Sequence, residues 1–232
     1  MDDPGRSFPT GAVVRLLAFV VVIPFLPLLI SWRWAWWEAW LYAVMAILGF
    51  FVSRVLAVRR HPDLFSERAR FTDHENTEAW DRVLAPLASL GGGLLPLVVG
   101  LDARFGEPSG LSLTARLIAL AVILVGYVFS SWALMENRYF SGVVRIQRER
   151  GHHVISSGPY RRIRHPGYAG GLLACWATPV FLESSWAFLP AAFLTIVTLC
   201  RTALEDRTLQ SQLEGYGAYA KRVRYRLLPG VW

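Results

Sequence analysis

The sequence predicts an all-α integral membrane protein, a bundle of five to six transmembrane helices followed by a C-terminal cytoplasmic helical tail. Three observations predict it. Apolar runs of membrane length recur along the 232 residues. The composition, 54% hydrophobic and 18% charged with a mean hydropathy of +0.36, is too apolar for a soluble domain of this length. Arginines gather in alternate connections between the runs, as they do on the cytoplasmic side of membrane proteins.

The first four runs, near residues 12–31, 34–58, 83–101 and 114–135, each approach the roughly 20 residues needed to cross a bilayer. Met1 is followed by Asp2, Asp3 and Pro4 instead of a basic stretch, so the first run reads as a retained helix, not a cleaved signal. Pro24, Pro27, Pro86 and Pro96 predict kinks, which a bilayer tolerates when neighbours satisfy the freed backbone groups. Gly91-Gly92-Gly93 predicts close helix packing; its spacing and apolar flanks exclude a phosphate loop. Trp32, Trp34, Trp36, Trp37 and Trp40 predict an interfacial aromatic belt. Residues 168–182 and 186–200, separated by Glu183-Ser184-Ser185, predict a tight helical hairpin. The count is six spans, or five if that hairpin is re-entrant.

The net charge is +7, and Lys221 is the only lysine. Basic residues fall in three stretches: Arg59 to Arg82, Arg138 to Arg164, and Arg207 to Arg226. Six spans with both termini cytoplasmic put all three on one side. No nucleic-acid motif accompanies this charge, so membrane lipids are the expected polyanion and nucleic acid is not. Cys175 and Cys200 lie inside apolar runs, where cysteine is a small hydrophobe, and no metal-ligand spacing or serine nucleophile elbow is present.

The candidate site begins at Gly158-Pro159-Tyr160-Arg161-Arg162-Ile163-Arg164-His165-Pro166-Gly167-Tyr168-Ala169-Gly170-Gly171. Pro166 holds the His165 backbone extended and starts a helix. At that entrance free N–H groups and the helix dipole favour an anionic group. Gly167, Gly170 and Gly171 leave one helix face bare, for a neighbouring helix or a flat ligand. Beyond the hairpin, helical geometry over 201–216 puts Arg201, Glu205 and Gln212 beside a stripe of Leu209, Leu213 and Tyr216. Glu205 then faces protein or membrane, as an element of a site or as an Arg201–Glu205 surface pair. Asp206 points about 100° away, toward solvent. Asn137, Arg138, Tyr139, His152 and His153 are candidates for extending the site, with structural roles the simpler reading.

Gly-Pro-Tyr, Arg-His-Pro-Gly-Tyr, the short hairpin, Arg201, Glu205-Asp206 and Tyr216-Gly217-Ala218-Tyr219 closing toward Pro229 resemble the isoprenylcysteine carboxyl methyltransferase family and related phospholipid methyltransferases. The resemblance covers roughly 137–232, so one membrane domain over 1–232 divides into four spans in 1–136 and a cofactor-binding half in 137–232. It implies S-adenosylmethionine as methyl donor, bound by Tyr160, Arg164, His165, Pro166, Tyr168, Gly170, Gly171, Glu205, Asp206 and Tyr219. It also implies a lipophilic or prenylated acceptor, with Arg201 and Glu205 catalytic and Arg201 holding an acceptor carboxylate. The chain departs from the family where Asp206 follows Glu205 in place of a second glutamate.

Three alternatives stand beside carboxyl O-methylation. Phospholipid amine methylation would require a base. Sterol-type membrane reductases, which use a nicotinamide cofactor, share an Arg-Leu-Leu-Pro-Gly ending like Arg226 to Gly230. A transporter or scaffold with a basic cytoplasmic face would bind no nucleotide-type ligand.

Overall fold

The computed structural model describes residues 17, 19–63, 76–107 and 109–232. Residues 12–16 and 18 of the first run, Arg68 and Arg70 lie outside the described residues. Those described form helices joined by turns and loops, with no strand among them. We number the helices α1 (Phe19–Ser31), α2 (Trp37–Arg60), α3 (Asp81–Phe105), α4 (Leu113–Glu136), α5 (Pro166–Phe181), α6 (Phe188–Gln212) and α7 (Tyr216–Arg222). Helices α2, α3, α4 and α6 are long and apolar enough to cross a membrane.

The proline expectations are met unevenly. Pro24 coincides with a 3-10 turn at Ile23–Phe25 inside α1, whereas α3 runs unbroken through Pro86 and Pro96. Trp32 caps α1 in the left-handed region at φ 58°, and Trp32, Trp34, Trp37 and Trp40 are exposed, as an interfacial belt requires. Gly91 faces Phe193 and Leu194 of α6, so part of the glycine triplet serves helix packing as expected.

The hairpin is unequal. Sixteen residues of α5 rise about 24 Å, less than the roughly 30 Å of bilayer hydrocarbon, while α6 continues from the apolar run through Gln212 without a break. Helix α5 is buried against α4 through a contact that depends on small residues. A Cβ on Gly126 would meet the Gly170 carbonyl at 2.6 Å, and one on Gly170 would meet the Gly126 carbonyl at 2.6 Å. Close approach brings Ser130 Oγ within 2.8 Å of the Gly167 carbonyl, fixing the first turn of α5 against α4.

Polar contacts collect at the two ends of the bundle. At one end Arg116 pairs with Glu38 and, at 3.4 Å, with Glu183, and Asp102 accepts from Ser184 Oγ at 2.7 Å. At the other end the three basic stretches meet. Arg138 and Arg150 share Asp63, Arg60 pairs with Glu136 at 3.4 Å, and Gln212 donates to Glu78 at 3.0 Å. The hydrophobic centre between them is built on Leu28, Ile123, Phe181 and Leu182, each almost wholly buried.

Candidate functional site

The site lies at the end where the basic stretches meet and starts from local backbone geometry. Gly158 has φ +53°, and a Cβ there would meet Glu136 and Trp132 at about 3.0 Å, so only glycine fits this turn. Pro159 and Tyr160 are consequently turned inward. The Tyr160 hydroxyl accepts from Asn137 Nδ2 at 3.3 Å, and its carbonyl accepts from the Tyr219 hydroxyl at 2.8 Å. Burial raises the pKa of both phenols, which stay protonated donors.

Next, the chain pairs with its own tail. The N–H groups of Arg164 and His165 donate to the carbonyls of Tyr225 at 3.0 Å and Arg226 at 2.9 Å. Arg164 then grips the fully buried Asp206 with Nε at 2.7 Å and Nη2 at 2.9 Å, while Nη1 donates to the carbonyls of Val223 and Arg224. Asp206 also accepts from the Tyr216 hydroxyl at 2.9 Å, Gln210 at 2.9 Å and Arg226 at 3.0 Å. Burial and the Asp206 carboxylate both raise the Tyr216 pKa, keeping that hydroxyl a donor. The solvent-facing position read for Asp206 from helical geometry is therefore overturned: the tail folds back over α6 and covers that face. Every nitrogen of Arg164 is engaged in holding this roof.

Beneath the roof is a cavity of about 810 Å³ including its open mouth. Tyr160, Arg164, His165, Tyr168, Arg201, Glu205 and Tyr219 all line it, so seven of the expected site residues come together. Asn137, Tyr139, His152 and His153 line it too. Pro166, Gly170, Gly171 and Asp206 do not. Pro166 starts α5, Gly170 packs on Gly126, and Gly171 is exposed with open space beside it. Of the glycines, Gly167 lines the cavity and is tight against Phe140.

Inside, the His165 and Tyr168 rings stack at 5.8 Å with planes 5° apart. Nε2 of His165 is buried without a hydrogen-bond partner, 3.5 Å from Asp206 Oδ1. The Tyr168 hydroxyl donates to Glu205 at 2.7 Å, and Arg201 lies over the Tyr168 ring at 5.7 Å. Arg201 does not pair with Glu205, its neighbour one turn along. It reaches Asp81 at the start of α3 with Nε at 2.7 Å and Nη2 at 3.0 Å, and the Gly142 carbonyl at 2.8 Å.

Sequence reasoning missed Asp81, although an acidic residue at the mouth of an apolar run is a recognisable signal. It also missed Gln147, which is buried and donates to the Tyr139 carbonyl at 2.8 Å. His152 stacks on Tyr139 at 4.3 Å and accepts from the Gln147 N–H. Burial first, then His153, Arg145 and Arg150, lowers its pKa to about 4, so it is a neutral acceptor at pH 7.

Residues 114–215 match the phospholipid methyltransferase family. An Oryza sativa subsp. indica protein named as a probable protein-S-isoprenylcysteine O-methyltransferase is 38% identical over 66 residues, 28% of this chain and 35% of its own. The Arabidopsis thaliana protein-S-isoprenylcysteine O-methyltransferase B is 33% identical over 64 residues, 27% and 32% of the two chains. A Mus musculus Delta(14)-sterol reductase is 28% identical over 153 residues, 60% of this chain and 36% of the reductase. The matches thus span about a third of the length of these relatives. Across residues 114–215 the chain is similar to the membrane methyltransferases, as its motifs imply.

Proposed function

We propose that the cavity binds S-adenosylmethionine and that the protein transfers its methyl group to a lipophilic acceptor. The observation that carries this reading is a cavity at the edge of the apolar helices lined by the stacked rings of His165 and Tyr168 and by the Glu205 carboxylate. Glu205 there has no cationic partner among the described residues. Those groups fit a donor that carries a carboxylate, an ammonium and a sulfonium. His165 and the first-turn N–H groups of Gly167 and Tyr168, which helix geometry leaves without acceptors, suit the carboxylate. Glu205 suits the ammonium or ribose hydroxyls, and the Tyr168 ring suits the sulfonium.

When bound, that donor supplies a methyl group already activated for transfer. The protein has to align the acceptor and exclude water. The roof fixed by Arg164, Asp206 and Arg226 closes one side, and the α4–α5 contact closes another. Arg201 keeps Nη1 free of partners among the described residues, a donor for a polar atom of the acceptor. The arginine-rich end carries the cavity, and the positive-inside bias supports a cytoplasmic site, with the acceptor arriving from the bilayer. The test is a screen of membrane lipid extracts with labelled methyl donor. Wild type incorporates label and Glu205→Ala does not; equal incorporation by both proteins contradicts the role of Glu205.

A second reading has its own support in the likeness to Delta(14)-sterol reductases over 60% of the chain. It replaces the donor by a reduced nicotinamide cofactor. Calorimetry of the protein in nanodiscs separates the two: the methyltransferase reading predicts saturable heat with S-adenosylmethionine and none with NADPH.

A further inference from the structure

Two planes of charge bracket the bundle. Arg116, which meets Glu38 and Glu183 at one end, and Glu136, which meets Arg60 at the other, are 20 residues apart on α4, about 30 Å along the helix. Asp102 and Asp81 repeat the spacing on α3, about 32 Å apart. Both match the thickness of bilayer hydrocarbon. Helix α5 ends at Phe181, two residues from Glu183, and its 16 residues rise only about 24 Å, so Pro166 falls short of the arginine-rich plane. Arg164 and His165, just before it, therefore lie at the hydrocarbon border. So does the tail segment whose Tyr225 and Arg226 carbonyls receive their N–H groups.

Beyond that pairing the tail makes a turn suited to apolar surroundings. Pro229 and Gly230, the latter at φ +84°, reverse the chain. The N–H groups of Arg226, Leu227 and Leu228 donate to the Trp232 carbonyl, and those of Val231 and Trp232 donate to the Leu228 carbonyl, so the turn satisfies much of its own backbone. Its apolar side chains are left uncovered: Leu228 is 56% and Val231 74% exposed, and Tyr225 is exposed beside them. Arg222 and Arg224 on the approach are exposed as well, and no acidic residue occurs from Gly215 to Trp232.

We propose that this turn is an interfacial anchor for anionic lipid. Leu228 and Val231 enter the leaflet at the arginine-rich end, Tyr225 and Trp232 lie at head-group level, and Arg222 and Arg224 meet lipid phosphates. The depth of the segment selects lipid over a soluble partner, which would have to reach into the hydrocarbon border to cover it. The same segment roofs the cavity: the Val223 and Arg224 carbonyls accept from Arg164, and Arg226 donates to Asp206. Lipid on the outside of the tail thereby steadies the roof, whatever ligand the cavity takes.

The experiment uses the full chain with the exposed Cys200 replaced by alanine and a fluorescent label on Val231→Cys; the unlabelled Cys200→Ala protein gives the background from buried Cys175. Nanodiscs contain phosphatidylcholine alone or an equal mixture with phosphatidylglycerol. Quenching by lipid spin-labelled near the top of its acyl chain is compared with quenching by aqueous acrylamide, and a label on Arg148→Cys, exposed in the 148–150 turn, is the aqueous reference. In mixed discs the label at 231 is quenched mainly by lipid and the reference mainly by acrylamide. Arg222→Gln and Arg224→Gln each lower the ratio of docked to undocked tail about fivefold in mixed discs and leave it unchanged in neutral ones. Acrylamide quenching at 231 equal to that of the reference overturns the proposal, as does equal lipid quenching in the two kinds of disc. Protection from both quenchers reports a protein cover, a second copy included, and overturns it too.

Discussion

Arg164 lines the cavity, and yet its nitrogens are committed elsewhere. Its place in the Arg-His-Pro-Gly-Tyr run marked it for ligand binding, and it does line the cavity. All its nitrogens nevertheless serve Asp206 and the tail carbonyls. Its side chain is 5% exposed and that of Asp206 is 0% exposed, so removing the cation leaves a buried carboxylate short of its main partner. Arg164→Ala should lower stability by about 3 kcal/mol, the low end for breaking a buried pair because Arg226, Tyr216 and Gln210 remain. Thermal unfolding in detergent measures the loss, and proteolysis of residues 223–232 should accelerate in parallel. His165 and Glu205 were legible because residue type and position agreed: a histidine before a helix-starting proline, a glutamate on the apolar side of a helix. The pairings of Asp206 and Arg201 were not, since their partners, Arg164 and Arg226 for the one and Asp81 for the other, are distant in sequence and no periodicity links them.

Among the elements, the pairing of α4 with α5 positions everything above it. The sequence allowed either a ligand or a helix to fill the bare face of Gly167 and Gly170. Gly126 and Ser130 of α4 fill it at Gly170, a match that requires knowing which helix lies opposite. Gly126→Leu would drive a side chain into the Gly170 carbonyl and the Ala174 N–H, and it should destabilise by about 1–3 kcal/mol. Shifting α5 also moves His165 and Tyr168, so ligand affinity should fall together with the melting temperature. Gly171→Ala, which meets open space, is the control and should leave both unchanged. The unequal hairpin was half legible: Glu183-Ser184-Ser185 marked the turn, but hydrophobicity ends at Cys200 while α6 continues to Gln212. Tertiary contacts of Arg201, Thr202 and Asp206, all buried, carry the helix past the apolar run.

Over the whole molecule, polar groups are sorted to two ends and the arginine-rich end is held together by acid–base contacts that respond to pH. His152 has its pKa lowered from 6.5 to about 4, so below pH 6.5 the unfolded chain binds a proton that the folded chain refuses. Its contribution to stability is complete above pH 6.5 and is lost as pH falls toward 4. Burial would raise the Asp63 carboxyl, but hydrogen bonds from Arg150 and Arg138 outweigh it and bring the pKa to about 2. That contribution is present above pH 3.8 and disappears between 3.8 and 2. Melting temperature should therefore fall in two steps on acidification, and His152→Gln should remove the upper one. The division into apolar runs and basic loops was visible from composition, because bilayer thickness and arginine bias act on whole segments. The contribution of α3 to the site was not, since nothing in its pattern marks Asp81 as the partner of Arg201, 120 residues away.

The proposed function rests on one cavity, between the first turn of α5 and the tail, taking up a charged sulfonium compound. Calorimetric titration of S-adenosylmethionine into wild type, His165→Ala and Glu205→Ala in nanodiscs tests it most directly. Saturable binding at one site per chain is expected, weakened about tenfold or more in each variant, as when a buried polar contact is removed. Wild type without saturable binding, or variants that bind as tightly as wild type, would contradict it.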